Sequence, residues 1–438
     1  MPSAVREYDS PTPSGITKFT NCLLVKGNQL VKEDLWISSI NGKILRSQEV
    51  FYEQRAVPDR ILDLGGRIVS PGLIDSQLNG AYGFDFSVIP EDGAPSYGKG
   101  VLRVNKSLIK TGVTSYLPTL TSQKAEVYHK ALPFLGPSGA PRDPSAGSES
   151  LGAHCEGPFI SPTKNGIHDV SVLRTAPNGI IDLEECYGAE NLVSPSPIKY
   201  ITLAPELPGA LSCIPALKNR GIRVSIGHSE ATYEEARAGM AAGAGMITHL
   251  FNAMRPLHHR NPGIFGLLGT ASTTLGYVKP YFGIIADGIH LHRTTIKIAW
   301  NAHPDGFILV TDAMSLVGLP DGTYDWTNGS RIIKKGPLLT LEGTDGKIAG
   351  SSISLIECVT NFLNWSGASV PEALKAVTET PARMLGLHGV KGTLDPGADA
   401  DIVILELQDT EAGEKKLEVE QVWKFGQKVF EKNEQLSL

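Results

Sequence analysis

Short apolar runs, each followed by a polar residue and a helix-like stretch, recur through the middle of the chain. They show little alternation of polar and apolar positions, which is typical of strands buried on both faces, as in a parallel sheet. We therefore interpret each run as one strand of such a sheet. The runs cover residues 68–79, 113–121, 151–156, 198–206, 222–229, 245–252, 281–290 and 306–312.

Helical patterns separate these runs, for example over 230–243, where Ser229 stands at the position of an N-cap. Eight strand–helix repeats predict an α/β fold, a (β/α)8 TIM-like barrel, in which the carboxyl ends of the strands hold the active site. A doubly wound open sheet is the alternative. The segment 93–99 spells most of a P-loop, but Gly100 replaces its Ser/Thr, so we expect a plain loop there.

The two ends of the chain indicate β structure of another kind. Segment 17–64 has short alternating strands with turn residues between them, and segment 394–430 is again β-like. We expect residues 1–70 and 393–438 to form a small discontinuous β-sandwich domain, and residues 71–392 to form the barrel. Just before the tail, Ser369-Val-Pro-Glu372 has the pattern of a capping box and predicts a helix up to about residue 385.

Composition and charge narrow the class of protein. The chain has 438 residues, 41% of them hydrophobic and 20% charged, enough for a large core. Its formal charge of −6 argues against nucleic acid or an anionic membrane as the main partner. The five cysteines include no CxxC pair, which disfavours a disulfide framework and a cysteine-type zinc site. Since neither an apolar leader nor a long apolar span is apparent, we expect a cytoplasmic location.

Polar residues stand at the ends of four different predicted strands, namely Glu156, His228, His249 and Asp312. A closed barrel would bring these residues to one mouth, although they span 156 positions in sequence. Imidazole and carboxylate ligands with an open coordination position suit a catalytic zinc or a similar divalent ion. Each residue alone is more often a buried structural group, so the prediction of a metal site depends on the four occurring together.

Several short motifs surround these residues. The most specific are T-H-L-F-N-A-M at 248–254 and A-D-G-I-H at 286–290, accompanied by H-C-E-G-P at 154–158, G-H-S at 227–229 and T-D-A at 311–313. More general ones are P-G-L-I-D at 71–75, T-P-A-R-M-L-G-L at 380–387 and K-G-T-L-D-P-G-A-D-A-D at 391–401. Together they resemble the N-acetylglucosamine-6-phosphate deacetylases, a family of the amidohydrolase superfamily, and the resemblance covers nearly the whole chain.

The resemblance implies hydrolysis of the N-acetyl amide of N-acetylglucosamine 6-phosphate to glucosamine 6-phosphate and acetate, in amino-sugar metabolism. It implies that Glu156, His228 and His249 bind the metal. It also implies that Asp312 activates the hydrolytic water and then protonates the leaving amine, while His168 polarises the carbonyl. The implied contacts to the sugar phosphate are Ile167, His168, Asn252, Ala253, Arg260, His290, Ile348, Ala349 and Gly350.

The resemblance also bears on the metal and on the assembly. Many superfamily members place a His-x-His pair where this chain has Gln77-Leu78-Asn79. Gln and Asn are weak metal ligands, so we expect one divalent ion per subunit, with zinc as the first expectation and iron, manganese and cobalt as alternatives. Arg260 and His290 suit a phosphate, since charge-assisted hydrogen bonds to its oxygens are strong. In the family, phosphate contacts can come from a neighbouring subunit, which implies a homodimer.

Two other functions are compatible with these motifs. A catalytically silent barrel could serve as an assembly or regulatory scaffold, although such proteins usually lose metal ligands and this chain keeps all four residues at the strand ends. The remaining alternative is the same chemistry on another N-acyl amino sugar or on a cyclic amide. Rates on phosphorylated and unphosphorylated sugars would distinguish that alternative from the first function.

Overall fold

A computed structural model describes residues 14–53, 55–269, 279–326 and 329–432. The helices are α1 (Ala94–Leu108), α2 (Ala125–Ala131), α3 (Ile180–Tyr187), α4 (Ala210–Asn219), α5 (Tyr233–Ala242), α6 (Arg293–Ala302), α7 (Leu355–Ser366), α8 (Val370–Lys375) and α9 (Glu379–Leu385). Among the helices of these ranges, none has the length and apolar character needed to cross a bilayer.

The strands of the described residues include one in each of the eight predicted runs. They are β1 (Ile16–Thr20), β2 (Leu23–Lys26), β3 (Gln29–Lys32), β4 (Leu35–Ser38), β5 (Arg60–Asp63), β6 (Ile68–Pro71), β7 (Leu73–Leu78), β8 (Gly80–Ala81), β9 (Phe84–Asp85), β10 (Val113–Leu120), β11 (Glu149–Ser150), β12 (Ala153–Glu156), β13 (Ile198–Leu203), β14 (Arg223–Ile226), β15 (Met246–Ile247), β16 (Tyr281–Ile285), β17 (Phe307–Val310), β18 (Gly322–Asp325), β19 (Arg331–Lys335), β20 (Leu338–Leu341), β21 (Ile348–Ser351), β22 (Ile402–Asp409), β23 (Lys415–Lys424) and β24 (Gln427–Glu431).

Eight parallel strands form the barrel, in the order β7, β10, β12, β13, β14, β15, β16 and β17. The barrel closes just beyond β17, where the backbone N–H of Asp312 donates to the carbonyl of Gln77 at 2.9 Å. Leu78 pairs with Ala313 at the same place. Every residue of β7 and β10 is buried, as the unbroken apolar runs predict. The predicted (β/α)8 barrel is therefore confirmed against the open sheet.

Both ends of the chain contribute to two further sheets. One has the order β24-β23-β22-β6-β2-β3 and the other β4-β1-β5. Antiparallel pairing of β22 with β6 joins the C-terminal strands to the N-terminal ones. Phe19, Leu24, Ile402 and Trp423 belong to one buried cluster that draws on both segments. The expected β-sandwich from both chain ends is thus present, while the limits at residues 70 and 393 stay a prediction.

An additional antiparallel sheet, β18 to β21, follows the last barrel strand and was not predicted. Its strand β19 alternates exposed and buried residues, as a strand with one solvated face does. A parallel bridge between Ala313 and Ser351 attaches this sheet to the barrel mouth. The turn between β20 and β21 consequently lies beside the carboxyl ends of the barrel strands.

The helix after β14 begins later than predicted. Its N-cap is Thr232 rather than Ser229, because the Thr232 hydroxyl accepts from the backbone N–H of Glu235 and the Glu235 carboxylate accepts in return. Ser229 instead donates its hydroxyl to Glu206 at 2.7 Å. The capping box of Thr232 and Glu235 therefore explains why the helix begins later than predicted.

Two other local predictions need correction. The segment 93–99 is not a loop, because α1 starts directly after Gly93. The helix expected from 370 to about 385 is divided into α8 and α9, although the capping box at Ser369 is confirmed. Pro381 lacks the N–H that a continuous helix would need at that position, which accounts for the division.

Candidate active site

The predicted metal ligands converge at the carboxyl ends of the barrel strands. Glu156 is the last residue of β12, and His228 and His249 follow β14 and β15. All three side chains are buried. The Nε2 atoms of the two histidines are 3.0 Å apart, and Oε1 of Glu156 lies 3.3 Å from His228 and 2.9 Å from His249. The structure therefore brings together three ligand atoms that could share one ion.

The orientation of His228 is that of a metal ligand. Its Nδ1 lies 2.7 Å from the carbonyl oxygen of Lys164. Because a carbonyl can only accept, Nδ1 donates to it, and Nε2 is the ring atom that faces Oε1 of Glu156. A backbone carbonyl behind the ring is also the usual support of a metal-binding histidine.

The backbone at these strand ends is unusual. His228, His249 and Asp312 have φ angles of 48°, 28° and 46°, in the left-handed region that residues with a Cβ rarely adopt. Such conformations cost free energy and concentrate at functional sites. Each of the three lies where a strand ends and its side chain faces the mouth of the barrel.

Asp312 lies between two carboxamides. Nδ2 of Asn79 donates to its Oδ1 at 2.7 Å, and Nε2 of Gln77 donates to the same oxygen at 3.1 Å. Gln77 also donates to Oε1 of Glu156 at 2.9 Å. Burial, and then the charge of Glu156, raise the pKa of Asp312 to about 6. A carboxylate with this pKa can accept and return a proton near neutral pH. In the sequence, Gln77 and Asn79 stood out only as missing metal ligands.

His168 is held as a neutral proton donor beside the ligand set. Its Nδ1 accepts the backbone N–H of Ser122 at 3.1 Å, so the proton of the neutral ring is on Nε2. Burial, and then the neighbouring His228, lower the pKa of His168 to about 3. The Nε2 atom is 3.9 Å from Oε2 of Glu156. A fixed N–H in this position suits a developing oxyanion.

His290 lies on the wall of the site and is paired with a carboxylate. Its Nδ1 lies 2.6 Å from Oδ2 of Asp287. Oδ1 of Asp287 accepts the backbone N–H groups of Ile289 and His290 at 2.8 and 2.9 Å. Burial alone would lower the pKa of His290, but the hydrogen bond and the charge of Asp287 together raise it. Asp287 therefore shapes the loop that presents His290 and also favours the protonated form of its ring.

A cavity of about 380 Å³ opens over these residues. Most of the predicted substrate contacts line it, namely Ile167, His168, Asn252, Ala253, His290, Ile348 and Gly350. The Nδ2 atom of Asn252 is buried and has no hydrogen-bond partner among the described residues, so it is available to a ligand. Two of the predicted substrate contacts do not line the cavity. Ala349 is buried in the apolar cluster of the additional sheet, and Arg260 is exposed outside the cavity, 2.9 Å from Nε2 of His259.

Lys347 lines the cavity and was not singled out in the sequence. It lies in the turn before β21, which the additional sheet places at the barrel mouth. In the part of the chain that the structure describes, its ammonium group forms no ion pair. The one sequence signal for Lys347 is its position directly before Ile348, and that signal is weak. The site therefore has a second cation, besides His290, within its own chain.

Known proteins resemble this chain in sequence and in structure. Residues 68–429 match the amidohydrolase family. N-acetylglucosamine-6-phosphate deacetylase of Rattus norvegicus is 42% identical over 404 residues, which are 92% of this chain and 94% of that protein. The enzyme of the same name from Danio rerio is 42% identical over 431 residues, 97% of this chain and 100% of that protein.

A solved structure adds a bound substrate to the comparison. It is a mutant of N-acetyl-D-glucosamine-6-phosphate deacetylase from Mycobacterium smegmatis in complex with N-acetyl-D-glucosamine-6-phosphate. Its TM-score to this chain is 0.74 at 26% identity, and the match covers 95% of this chain and 100% of that one. The similarity includes both the barrel and the sheets formed by the chain ends.

Proposed function

The chain belongs to the amidohydrolase family, and on that premise we propose that it hydrolyses the N-acetyl amide of N-acetylglucosamine 6-phosphate, releasing glucosamine 6-phosphate and acetate. The observation that carries the proposal is one cavity lined both by Glu156, His228 and His249 and by the cations His290 and Lys347. A ligand with an amide and a phosphate matches both kinds of group. The reaction belongs to amino-sugar metabolism.

Glu156, His228 and His249 would hold one divalent ion, and we assign zinc because two imidazoles and a carboxylate suit it. Such an ion supplies Lewis acidity to the amide carbonyl and lowers the pKa of a water molecule. Gln77 and Asn79 direct their N–H groups at carboxylates, which supports a single ion per subunit.

A second cluster of carboxylates, Glu149, Asp399 and Asp401, is geometrically close enough to bind a metal. The ammonium groups of Lys391 and Lys424 already neutralise it, with Lys391 2.9 Å and Lys424 2.7 Å from Asp401. This cluster therefore serves as a buried ion network, and we assign no metal to it.

In the proposed reaction Asp312 transfers the protons, and other residues of the chain position it or stabilise the developing charge. Asp312 takes a proton from the attacking water and passes it to the amine nitrogen as the C–N bond breaks. Gln77 and Asn79 hold the Asp312 carboxylate in position for both transfers. The Nε2–H of His168 donates to the carbonyl oxygen while negative charge develops on it. Because His168 stays neutral, it contributes a hydrogen bond without surrendering the proton.

The phosphate and the sugar occupy the rest of the cavity. His290, Lys347 and the amide of Asn252 are the proposed phosphate contacts, supported by their positions on the cavity wall. The remaining proposed sugar contacts are Ile167, Ala253, Ile348, Gly350 and the backbone of Ala349. Arg260 lies outside the cavity of its own chain, which supports a homodimer in which it reaches the neighbouring subunit. Five buried free cysteines support the proposed cytoplasmic location.

The direct test is acetate release by the purified protein from N-acetylglucosamine 6-phosphate. We expect activity that Asp312→Asn reduces by about a hundredfold or more, since general acid–base catalysis contributes at least that much. Absence of acetate release from metal-loaded protein would favour the scaffold alternative. Equal rates on N-acetylglucosamine without the phosphate would contradict the phosphate contacts and favour another N-acyl substrate.

A further inference from the structure

A second cavity, of about 540 Å³, lies where the barrel strands β13 to β16 begin. Its lining includes the first residues of three strands, Arg223 of β14, Met246 of β15 and Tyr281 of β16. We call it the basal cavity, because it is at the opposite end of the strands from Glu156 and His228. Barrel enzymes carry out their chemistry at the carboxyl ends, so the proposed deacetylation leaves the basal cavity unused.

Cations dominate the charged lining of the basal cavity. Lys218, Arg223 and Lys279 line it, and Lys199 lies near enough to Arg223 for their charges to interact. Burial, and then the charge of Arg223, lower the pKa of Lys199. Within the described ranges none of the four forms an ion pair with a carboxylate. Lys279 donates to the carbonyl of Leu268 at 3.0 Å, the one hydrogen bond found for these four ammonium and guanidinium groups among the described residues.

Helix ends account for part of this arrangement. The helices α4 and α5 end beside the cavity, and the C-terminus of a helix attracts cations. Each helix end, however, contributes only about half a negative charge, whereas the cavity collects several full positive charges. Arg223 lies against Gly386, where an added Cβ would meet its guanidinium at 2.7 Å, yet no described carbonyl accepts a hydrogen bond from it. The cavity therefore keeps unneutralised donors.

The remaining lining is apolar. Met240, Met246 and Met384 are buried side chains of the cavity wall, and the ring of Tyr281 is partly exposed there. A volume of this size matches the range of small-molecule sites. Cationic donors beside an apolar wall suit a phosphate ester, whose anionic group and organic group need both kinds of surface.

We propose that the basal cavity binds a phosphorylated small molecule, with its phosphate on Lys218, Arg223 and Lys279 and its organic part against Met246 and Tyr281. This binding is independent of the deacetylation, since no residue of the basal cavity belongs to the candidate active site. The phosphate could come from inorganic phosphate or from an organic phosphate, and both share the chemistry that the cations recognise.

The test titrates the protein with ADP and with inorganic phosphate and compares four variants. Lys218→Gln/Arg223→Gln removes two cations of the basal cavity. Arg103→Gln/Lys110→Gln removes two exposed cations elsewhere and is the matched control. Lys347→Gln removes a cation of the catalytic cavity, and Arg223→Lys keeps the charge in the basal cavity. Thermal melting and deacetylation rates accompany each titration.

We expect saturable binding of both probes that weakens about tenfold or more in the double variant of the basal cavity, because two charge-assisted contacts are lost. Binding should stay within about twofold in the exposed control pair and in Arg223→Lys, and kcat/KM for deacetylation should stay within about twofold in the double variant. The melting temperature should not fall, since the removed cations repel their neighbours. Retained binding in Arg223→Lys distinguishes a lost contact from a damaged fold.

Several results would overturn the proposal. These are absence of saturable binding in the wild type, an equal loss in the control pair, or a loss in Lys347→Gln with none in the basal-cavity variant. A fall in melting temperature with unchanged probe binding would show that Lys218 and Arg223 stabilise helix ends instead. Tighter binding of ADP than of phosphate would support the contact with Met246 and Tyr281, and equal affinities would refute that part of the proposal.

Discussion

Asn79 donates its side-chain N–H to Oδ1 of Asp312 at 2.7 Å, across the seam where the barrel closes. The bond stabilises the ionised carboxylate and so acts against the burial and the Glu156 charge that raise the pKa of Asp312 to about 6. In Asn79→Ala the pKa of Asp312 should rise. Because the ionised form accepts the proton, the acid limb of the kcat/KM profile should move to higher pH.

The measurement is the pH dependence of acetate release in Asn79→Ala, together with kcat and KM at neutral pH. We expect kcat to fall by about tenfold and KM to change by less than about twofold, since we assign Asn79 to positioning the base rather than to a substrate contact. Asn361→Ala is the control, because Asn361 donates to the carbonyl of Ala286 at 2.9 Å and is not part of the cavity lining. An acid limb at the same pH in Asn79→Ala would contradict the positioning role.

Metal removal tests the ligand set. Chelation should abolish acetate release, and addition of zinc should restore it, with a metal content near one ion per chain. Glu156→Gln should lose both the bound metal and the activity, because a neutral amide is a weak ligand. Glu206→Gln is the matched control, since Glu206 is a half-buried carboxylate that accepts from Ser229 at 2.7 Å and lies outside the cavity lining. Metal retained in Glu156→Gln would refute the assignment.

The convergence of Glu156, His228, His249 and Asp312 could be predicted from sequence because it depends on strand ends, whereas the assignment of three of them as metal ligands is implied by the family resemblance. Glu156, His228 and His249 each follow a recognisable apolar run, and parallel strands of one barrel end at the same mouth. The roles of Gln77 and Asn79 could not be predicted in the same way. Their contacts depend on distances between β7, β12 and β17 of a closed barrel, which the residue types do not specify.

Two residues on connecting segments show a second limit of prediction from the sequence. Lys347 reaches the cavity because the sheet β18–β21 packs on the barrel mouth through Ala313 and Ser351, and no periodic pattern encodes that packing. Arg260 shows the reverse case, since the family resemblance assigns it to the substrate while the single chain leaves it exposed. Its position relative to a substrate depends on the assembly, which the local sequence does not determine.

Lys347→Gln should weaken binding of the phosphorylated substrate. Loss of one charge-assisted contact predicts a KM about tenfold higher for N-acetylglucosamine 6-phosphate, with kcat little changed. For N-acetylglucosamine without the phosphate, kcat/KM should stay within about twofold. The control is Lys335→Gln, which alters an exposed lysine of the same sheet. It should leave kcat and KM for both sugars unchanged. Equal losses on both sugars would show that Lys347 does not contact the phosphate.

The KM for the phosphorylated substrate should depend on the charge of His290. The charged groups that act on the His290 ring are Asp287, Asp312 and His249. Of these, Asp287 has the largest effect and raises the pKa of His290. As pH rises through this pKa, His290 loses its proton and the phosphate loses a cation, so KM should increase. In Asp287→Asn the pKa of His290 falls, and the increase in KM should begin at lower pH. Identical KM profiles of variant and wild type would contradict the pairing.

Lys424 connects the chain-end sheets to the barrel through a buried ion network. Its ammonium group is fully buried and donates to Oε1 of Glu149 at 2.8 Å, to Oδ2 of Asp401 at 2.7 Å and to the carbonyl of Thr114 at 3.1 Å. Lys424→Met leaves two buried carboxylates with Lys391 as their remaining cation. We therefore expect the free energy of unfolding at pH 7 to fall by about 3–5 kcal/mol.

The pH dependence of this loss has a definite sign. Burial would raise the pKa of Asp401, but the charges of Lys424 and Lys391 lower it in the folded protein. A carboxylate with a lowered folded pKa stabilises the protein above its unfolded pKa, and this stabilisation is lost as pH falls through the folded value. The difference between wild type and Lys424→Met should thus shrink on acidification below about pH 4. Denaturant unfolding at pH 7 and pH 3 measures this difference in the free energy of unfolding. The control is Lys415→Met, which alters an exposed partner of Asp409 and should lower the free energy of unfolding by less than about 1 kcal/mol. A loss that is equal at both pH values would contradict the ionic origin.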